Sequence, residues 1–466
     1  MTAAPKTNTS ALVSTNPAEN YAVLGSVPMS TKTEVSEKVA AAKAAFPAWR
    51  DTALSERLKC AGKLRDLFIE NKKEIAEITT KEMGMPMTQS LFTVDRAVAY
   101  MDWALANAES ALAPVKTYES DTEINHVVHL PRGILAAISP WNFPASNFVW
   151  ATFQYVIAGN TIVFKNSEEV QLTAQLLEKL INASGFPKGV FNVIYGDGEV
   201  AQALIADDID MINFTGSTRV GQILAKQAGE KFIPAVLELG GSDPAVVFAD
   251  ANIQKTVQAI YAGRFTNCGQ ICRSAKRLVI HENIVDDVLE RLQELIQTKT
   301  IGNPMDENTD IGPLAAERQQ KLLMSQVEDA KAKGATILCG GYVPDTLKGS
   351  YYAPTIITGI TDDMEIWKEE VFGPVLPVRT FHTYEEAMEL ANDSIYGLGA
   401  SVYTEDKKLA KQACHDIESG MVKVNTTEFG RPENPFGGVK LSGMGRENGV
   451  WGFHDACITK VIAEEK

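Results

Sequence analysis

What most constrains this chain is the alternation of short apolar runs with longer helical patterns. Residues 133–139, 161–164 and 190–195 are short apolar runs, and helical periodicity fills stretches between them, as at 172–183. The arrangement resumes with runs at 245–248 and 277–281 and helical patterns at 254–265 and 283–299. Strands separated by helices of about 10–15 residues form a parallel sheet covered on both faces, so each strand reads as apolar throughout. Upstream, 33–83 is helical, with Val35, Val39, Ala42 and Phe46 on one face, then Leu64, Leu67, Phe68, Ile75 and Ile78. These patterns predict an α/β fold of two domains joined near residue 238. A chain of 466 residues has room for both.

Charge and cysteine usage exclude several classes of function. Lys plus Arg is 44 against 59 for Asp plus Glu, a net charge of −15 with no basic run. Nucleic acid and anionic membranes are therefore not expected partners. No apolar stretch is long enough to span a bilayer. The first twenty residues lack the basic start and apolar block of a secretory signal, so the expected location is cytoplasmic. Six cysteines are too sparse for a disulfide framework. None forms a C-x-x-C pair, and the histidines do not join them at zinc-ligand spacing, so no metal is expected. His126 and His129 lie three apart in an alternating segment, which puts them on opposite faces of a strand.

Three polar segments carry signals of chemistry. Phe214-Thr-Gly-Ser-Thr-Arg-Val-Gly221 joins a strand-like run to a helical one, where glycine and unpaired helix N–H groups suit a phosphate. Its spacing is neither that of a Rossmann turn nor that of a P-loop, and a plain strand-to-helix turn fits equally well. Glu238 closes the run 233–237 ahead of two glycines. A carboxylate there is either a partly desolvated general base or a turn cap. Cys272 follows Gly269-Gln-Ile and precedes Arg273, Lys276 and Arg277. Positive charge beside a thiol favours the nucleophilic thiolate. Cys268, four residues earlier, could share a helix face with it.

With these segments, Pro140-Trp-Asn-Phe-Pro144, Glu369-Glu-Val-Phe-Gly-Pro374, Pro435-Phe-Gly-Gly-Val-Lys440 and Ser442-Gly-Met-Gly-Arg-Glu447 occur in one order. The chain resembles the NAD(P)-dependent aldehyde dehydrogenase superfamily over nearly its whole length. The resemblance implies two doubly wound parallel-sheet domains plus a small β oligomerisation arm. The cofactor domain would comprise 1–118 and 133–238, and the catalytic domain 239–440. Arms at 119–132 and 453–466 would add strands to a partner subunit, giving a homodimer or homotetramer.

The resemblance also implies a mechanism. Cys272 would attack the aldehyde carbon, with the Asn142 side-chain amide and the Cys272 backbone N–H holding the oxyanion. Hydride transfer would leave a thioester, which Glu238 would hydrolyse through an activated water. The cofactor would be held by Trp141, Lys165, Glu168, Gly196, Gly216, Ser217, Leu239, Glu370 and Phe372. Glu168 favours NAD over NADP, because a 2′-phosphate beside a carboxylate is repelled. Asn166 stands where the family often has proline.

For the substrate, Leu239-Gly-Gly-Ser-Asp-Pro244 and Ala262-Gly-Arg-Phe265 resemble the succinate-semialdehyde dehydrogenase branch. Many of those enzymes carry an arginine eight residues after the oxyanion-hole asparagine; here it is Trp150. With Phe143, Phe265 and Phe429, Trp150 makes an apolar entrance suited to an aliphatic or aromatic aldehyde. Arg431 is either a replacement anchor for a carboxylate, which would restore succinate semialdehyde, or a solvated loop arginine. Two other classes compete: a non-catalytic protein on the same fold, and a redox pair of Cys268 and Cys272 one helical turn apart.

Overall fold

The computed structural model describes residues 11–426 and 430–466. A six-stranded sheet runs, in spatial order, Gly443–Met444, Ala235–Glu238, Met211–Thr215, Ile134–Ser139, Thr161–Asn166 and Phe191–Ile194. All its pairings are parallel except that of Gly443–Met444 with Ala235–Glu238. All six residues of Ile134–Ser139 are buried. Leu135 and Ala137 join one core with Phe148 and Phe153 of the helix Pro144–Ala158, while Ile134, Ala136 and Ile138 join a second core with Leu204 and Leu224. That two-sided burial is the physical reason for the apolar runs.

A seven-stranded sheet follows, in the order Thr336–Cys339, Thr355–Thr358, Val375–Phe381, Ala275–His281, Asp243–Val247, Gly399–Tyr403 and Met421–Val424. Only its first pair is antiparallel. The helical stretch 33–83 resolves into Lys32–Arg50, Leu54–Glu70 and Lys72–Met83. Thr31 and Glu34 form a reciprocal cap at the first, and Gly84 ends the third with φ 80°. The long helix Met87–Leu112 is a feature the sequence reading did not assign. Its buried stripe includes Ala97, Ala104, Ala108 and Ala111, whose small side chains give a weak apolar signal.

The two arm segments pair with each other. Cys457–Glu465 runs antiparallel to Glu123–Pro131 over nine residue pairs, from Cys457 opposite Pro131 to Glu465 opposite Glu123. Val115–Glu119 adds a third strand. Each arm therefore meets its first strand partner within its own chain. His129 pairs with Thr459 and His126 with Ile462, on opposite faces as expected. The His129 ring stacks on His454 at 4.4 Å. Among the described residues no cluster of three or more histidine, cysteine or acidic side chains could hold a metal. Nor is any helix among them long and apolar enough to cross a membrane.

Asn160 fastens this sheet to the body of the protein. It follows Gly159, which ends Pro144–Ala158 in the left-handed region at φ 104°. Its Oδ1 accepts from the Arg132 and Gly133 N–H groups at 2.7 and 3.0 Å, and its Nδ2 donates to the Tyr155 and Ala456 carbonyls at 3.0 Å. Asn160→Ala would leave several backbone groups unsatisfied, at about 1–3 kcal/mol for each one buried. Urea denaturation should accordingly show a lowered midpoint and a loss of about 2–4 kcal/mol; an unchanged midpoint would contradict the role given to Asn160.

Candidate active site

The strand order reverses between Ile134–Ser139 and Met211–Thr215. From the first strand the chain winds outward through Thr161–Asn166 and Phe191–Ile194, then returns to the other side. Such a reversal opens a crevice at the carboxyl ends of the strands. Trp141 and Asn142 follow one of these strands, Gly216 and Ser217 follow the other, and Glu238 ends the next. Residues distant in sequence are thereby gathered at one edge.

The cysteine segment reaches this edge through a strained turn. The helix Ile253–Phe265 ends, and Asn267, Cys268 and Gly269 take positive φ values of 52°, 53° and 71°. At Gly269 a Cβ would lie 2.3 Å from the Gly373 carbonyl oxygen, so glycine is required. Asn267 N–H donates to Gln89 Oε1 at 2.8 Å, and Asn267 Nδ2 donates to the Asn142 carbonyl at 3.1 Å. Asn142 Nδ2 in turn donates to the Gln270 carbonyl at 3.0 Å, two residues before Cys272. Asn147 Nδ2 donates to Asn142 Oδ1 at 3.1 Å, which turns the amide N–H edge toward the cysteine segment. One Nδ2 hydrogen remains for a ligand. Cys268 and Cys272 do not share a helix face: the helix stops before both, and Cys268 is fully buried in the turn. The expected one-turn spacing for a disulfide is absent.

Electrostatics correct a second expectation. Burial pushes the Cys272 thiol up to about 12, and the opposing pull of Lys276 and Arg273 is smaller. The cationic neighbours therefore do not produce a thiolate by themselves. Arg277 is occupied elsewhere: its guanidinium donates to the carbonyls of Ser242, Leu390, Ala391 and Asp393. Lys276 Nζ donates to the Cys272 carbonyl and to Glu370 Oε1, both at 2.5 Å.

Glu238 is 2% exposed, and neither carboxyl oxygen has a hydrogen-bond partner among the described residues. Burial, then the charge of Glu447, raises it well above the usual carboxylate range, against the pull of Arg446. Of the two sequence readings, a turn cap would need a donor, and none is present. Glu447 itself is buried, pushed up to about 7, and accepts from Asn213 Nδ2 at 3.0 Å. Sequence reading quoted Glu447 within a motif but gave it no role; nothing in the linear pattern marks it as facing Glu238.

The remaining predicted positions fall into two groups. Lys165 is buried at the end of its strand, with Nζ 3.7 Å from Glu168 Oε2. Asn166 keeps this loop in place of proline, its Oδ1 accepting from Ser167 N–H at 3.0 Å. Ser217 caps the helix Thr218–Lys231 without a side-chain cap bond, so its hydroxyl does not occupy the first helix N–H groups. Gly196 packs on Val200, Gly216 on Phe214 and Leu239 on Gly221, each too closely for an added Cβ. Glu370 Oε1 also accepts from Gly241 N–H at 3.2 Å, and Phe372 meets Trp141 edge-on at 5.6 Å.

Of the predicted substrate residues, Phe143 packs beside Trp141 and Phe372. Trp150 lines a cleft with Tyr100, Val149, Phe153 and Pro432. Phe265 is 1% exposed and packs in the core against Tyr261, which corrects its placement at the entrance. Arg431 stands exposed on its loop, and Phe429 lies outside the described residues. The raised thiol gives a direct check on the site. Alkylation of Cys272 by iodoacetamide in the cofactor-free protein should rise about tenfold per pH unit from 7 to 9; a plateau near neutrality would contradict the burial argument.

A model of the aldehyde dehydrogenase family matches residues 4–462. Among curated relatives, the peroxisomal aminoaldehyde dehydrogenase 2 of Pisum sativum is 36% identical over 465 residues, covering 97% of this chain and 92% of that protein. The chloroplastic betaine aldehyde dehydrogenase of Atriplex hortensis is 36% identical over 456 residues, covering 95% and 91%. Both names specify substrates other than the succinate semialdehyde toward which residues 239–244 point. Among solved structures, the NAD-dependent aldehyde dehydrogenase of Sinorhizobium meliloti superposes with a TM-score of 0.95 at 35% identity, covering 98% of this chain and 92% of that one. With its sheet order, its gathered Cys272, Glu238 and Asn142, and a match along almost its entire length, the chain belongs to the aldehyde dehydrogenase family.

Proposed function

We propose that this enzyme oxidises an apolar aliphatic or aromatic aldehyde to the carboxylic acid, with NAD as the hydride acceptor. The observation that carries the reading is the buried, unpartnered Glu238 carboxyl at the end of a strand in the same sheet that Asn142 follows, with the Asn142 amide bonded to the segment of Cys272. The Cys272 thiol, held near 12, gives its proton to solvent as it attacks the carbonyl, and the Glu238 carboxyl, with no competing donor, is kept for the hydrolysis that follows. The attack gives a thiohemiacetal whose oxyanion the second Asn142 hydrogen and the Cys272 N–H would hold. After oxidation to the thioester, Glu238, once deprotonated, takes a proton from the attacking water and passes it to the departing Cys272 sulfur, which releases the acid and restores the thiol.

The crevice residues fit a dinucleotide. Glu168 and Glu370 are carboxylates suited to ribose hydroxyls, and Ser217 with its helix N–H groups suits a pyrophosphate. When bound, the nicotinamide supplies the hydride acceptor. Glu168 disfavours a 2′-phosphate by like charge, which supports NAD over NADP. Trp150 and Phe143 support an apolar substrate body. The arm strand Cys457–Glu465 leaves Val461 64% exposed and Ile458 46% exposed, which supports burial of this strand against a second copy in a homodimer or homotetramer. Light scattering should then show a species above monomer mass, and a clean monomer would contradict it.

Purified protein with NAD and an aldehyde panel should generate reduced cofactor. Cys272→Ala should abolish turnover while cofactor binding persists. Asn142→Ala should lower kcat about 10²–10³-fold, the usual loss for one oxyanion donor. A Cys272→Ala variant that still oxidises aldehydes would remove the nucleophile assignment.

A further inference from the structure

Lys276 is a fully buried cation that the reaction proposed above does not use. The sheet register shows how it comes to be there. Asp243 pairs with Ala275, but the next residue of that strand, Pro244, pairs with Arg277. Lys276 is therefore an extra residue in Ala275–His281, with nothing opposite it. Pro244 has no N–H to give to the ladder, so the ladder is weakest at this point. A bulge of this kind re-aims a side chain. Arg277 donates to the Leu390, Ala391 and Asp393 carbonyls, whereas Lys276 donates to the Cys272 carbonyl.

Three groups converge on the Lys276 ammonium. Nζ donates to the Cys272 carbonyl and to Glu370 Oε1, both at 2.5 Å. It also lies 5.4 Å from the centre of the Phe372 ring, within reach of the π face. The Gly241 N–H donates to the same Glu370 oxygen at 3.2 Å. Oε1 is thus committed to the protein, and Oε2 lies beside Gly240. A Cβ at Gly240 would stand 2.5 Å from Oε2 and 3.4 Å from Thr218 Oγ1. Thr218 opens the helix Thr218–Lys231, so Oε2 is on the side assigned to the dinucleotide. The Glu370 side chain is 20% exposed and that of Lys276 0%, so a ligand reaches the carboxylate and not the ammonium. Glu370 cannot swing away without leaving a buried, unpaired charge.

We propose that Lys276 is a positioning residue that fixes Glu370 for the ribose on the nicotinamide side and, through the same ammonium, links occupancy of that ribose site to the reactivity of Cys272. The proposal rests on the cofactor assignment above. Lys276 and Gly241 hold Oε1, which leaves Oε2 preorganised for a ribose hydroxyl. Hydroxyl groups that donate to Glu370 draw its negative charge away from Lys276. The ammonium is then less offset, and its field favours the Cys272 thiolate. Beyond burial, four charged or titratable groups act on that thiol: Lys276 and Arg273 toward the thiolate, Glu370 and Asp243 against it, with Lys276 the strongest. By linkage, a change at one end appears at the other.

ADP-ribose carries this second ribose without the nicotinamide, so it fills the ribose site and leaves the thiol open, whereas ADP ends before it. Calorimetry should show the wild type binding ADP-ribose about 10–100-fold more tightly than ADP, as charge-assisted bonds to Glu370 imply. Lys276→Met should lower that ratio about tenfold. Its affinity for ADP should stay unchanged, which also shows that the variant is folded. Alkylation of Cys272 by iodoacetamide at about pH 8 gives the second readout. Without ligand, Lys276→Met should react more slowly than the wild type and Glu370→Gln faster. Saturating ADP-ribose should speed the wild type and change neither variant. A ratio unmoved by Lys276→Met, or a wild-type alkylation rate indifferent to ADP-ribose, overturns the proposal. If Lys276→Met does not fold, Glu370→Gln decides, and alkylation of it at the wild-type rate overturns the proposal. Equal binding of ADP-ribose and ADP by the wild type overturns this proposal alone; binding of neither overturns the dinucleotide assignment and this proposal with it.

Discussion

A carboxyl group taken out of water and given no donor holds its proton far more tightly than one in solution, and Glu238 is kept in that condition. The surrounding structure maintains it. Glu238 ends a strand of the six-stranded sheet, so its backbone is fixed by Thr215 on one side and Gly443 on the other. Gly437, at φ 154°, brings backbone close to its Oε1, where a Cβ would stand at 2.8 Å. Glu447 adds a like charge. The same desolvation acts on Cys272. A thiol and a carboxyl both raised by burial stay uncharged until a proton moves between protein, water and substrate. A dry crevice also strengthens the Asn142 donor when negative charge develops.

The strands were legible because a parallel sheet buried on both faces demands unbroken apolar runs, and 133–139 and 245–248 supply them. The site was legible only in part. Glu238 and Asn142 sit at strand ends, where side chains reach the crevice whatever the rest of the chain does, and their placement follows from topology. Arg277 misled because a charge in sequence gives no sign of whether water or backbone carbonyls will surround it. Phe265 misled for a related reason: an aromatic at the end of a helix packs inward or outward according to the neighbouring strand. Cys268 and Cys272 looked like one helical turn, yet Asn267 and Cys268 take left-handed backbone angles that no spacing rule reveals. Glu447 comes from a segment remote in sequence, and only the folded chain brings it to Glu238.

This division has a functional logic. Residues to which we assign the reaction sit on strand ends and on a turn locked by Asn267 and Gln270, where small displacements are resisted. Residues around the cleft come from the helices Met87–Leu112 and Pro144–Ala158 and from the loop at 430–432. Those positions can change without disturbing the sheets. One scaffold can thus keep its oxidation chemistry while the aldehyde it accepts changes.

The central claim is that Glu238, buried without a partner, is the base that frees the acid from Cys272. It is tested most directly by mixing Glu238→Gln with NAD and aldehyde, then measuring reduced cofactor and intact protein mass together. The variant should release about one equivalent of reduced cofactor in a burst and then stall, with the acyl group retained on Cys272 as a thioester. Multiple turnovers at the wild-type rate, with no acyl adduct on the protein, would contradict it.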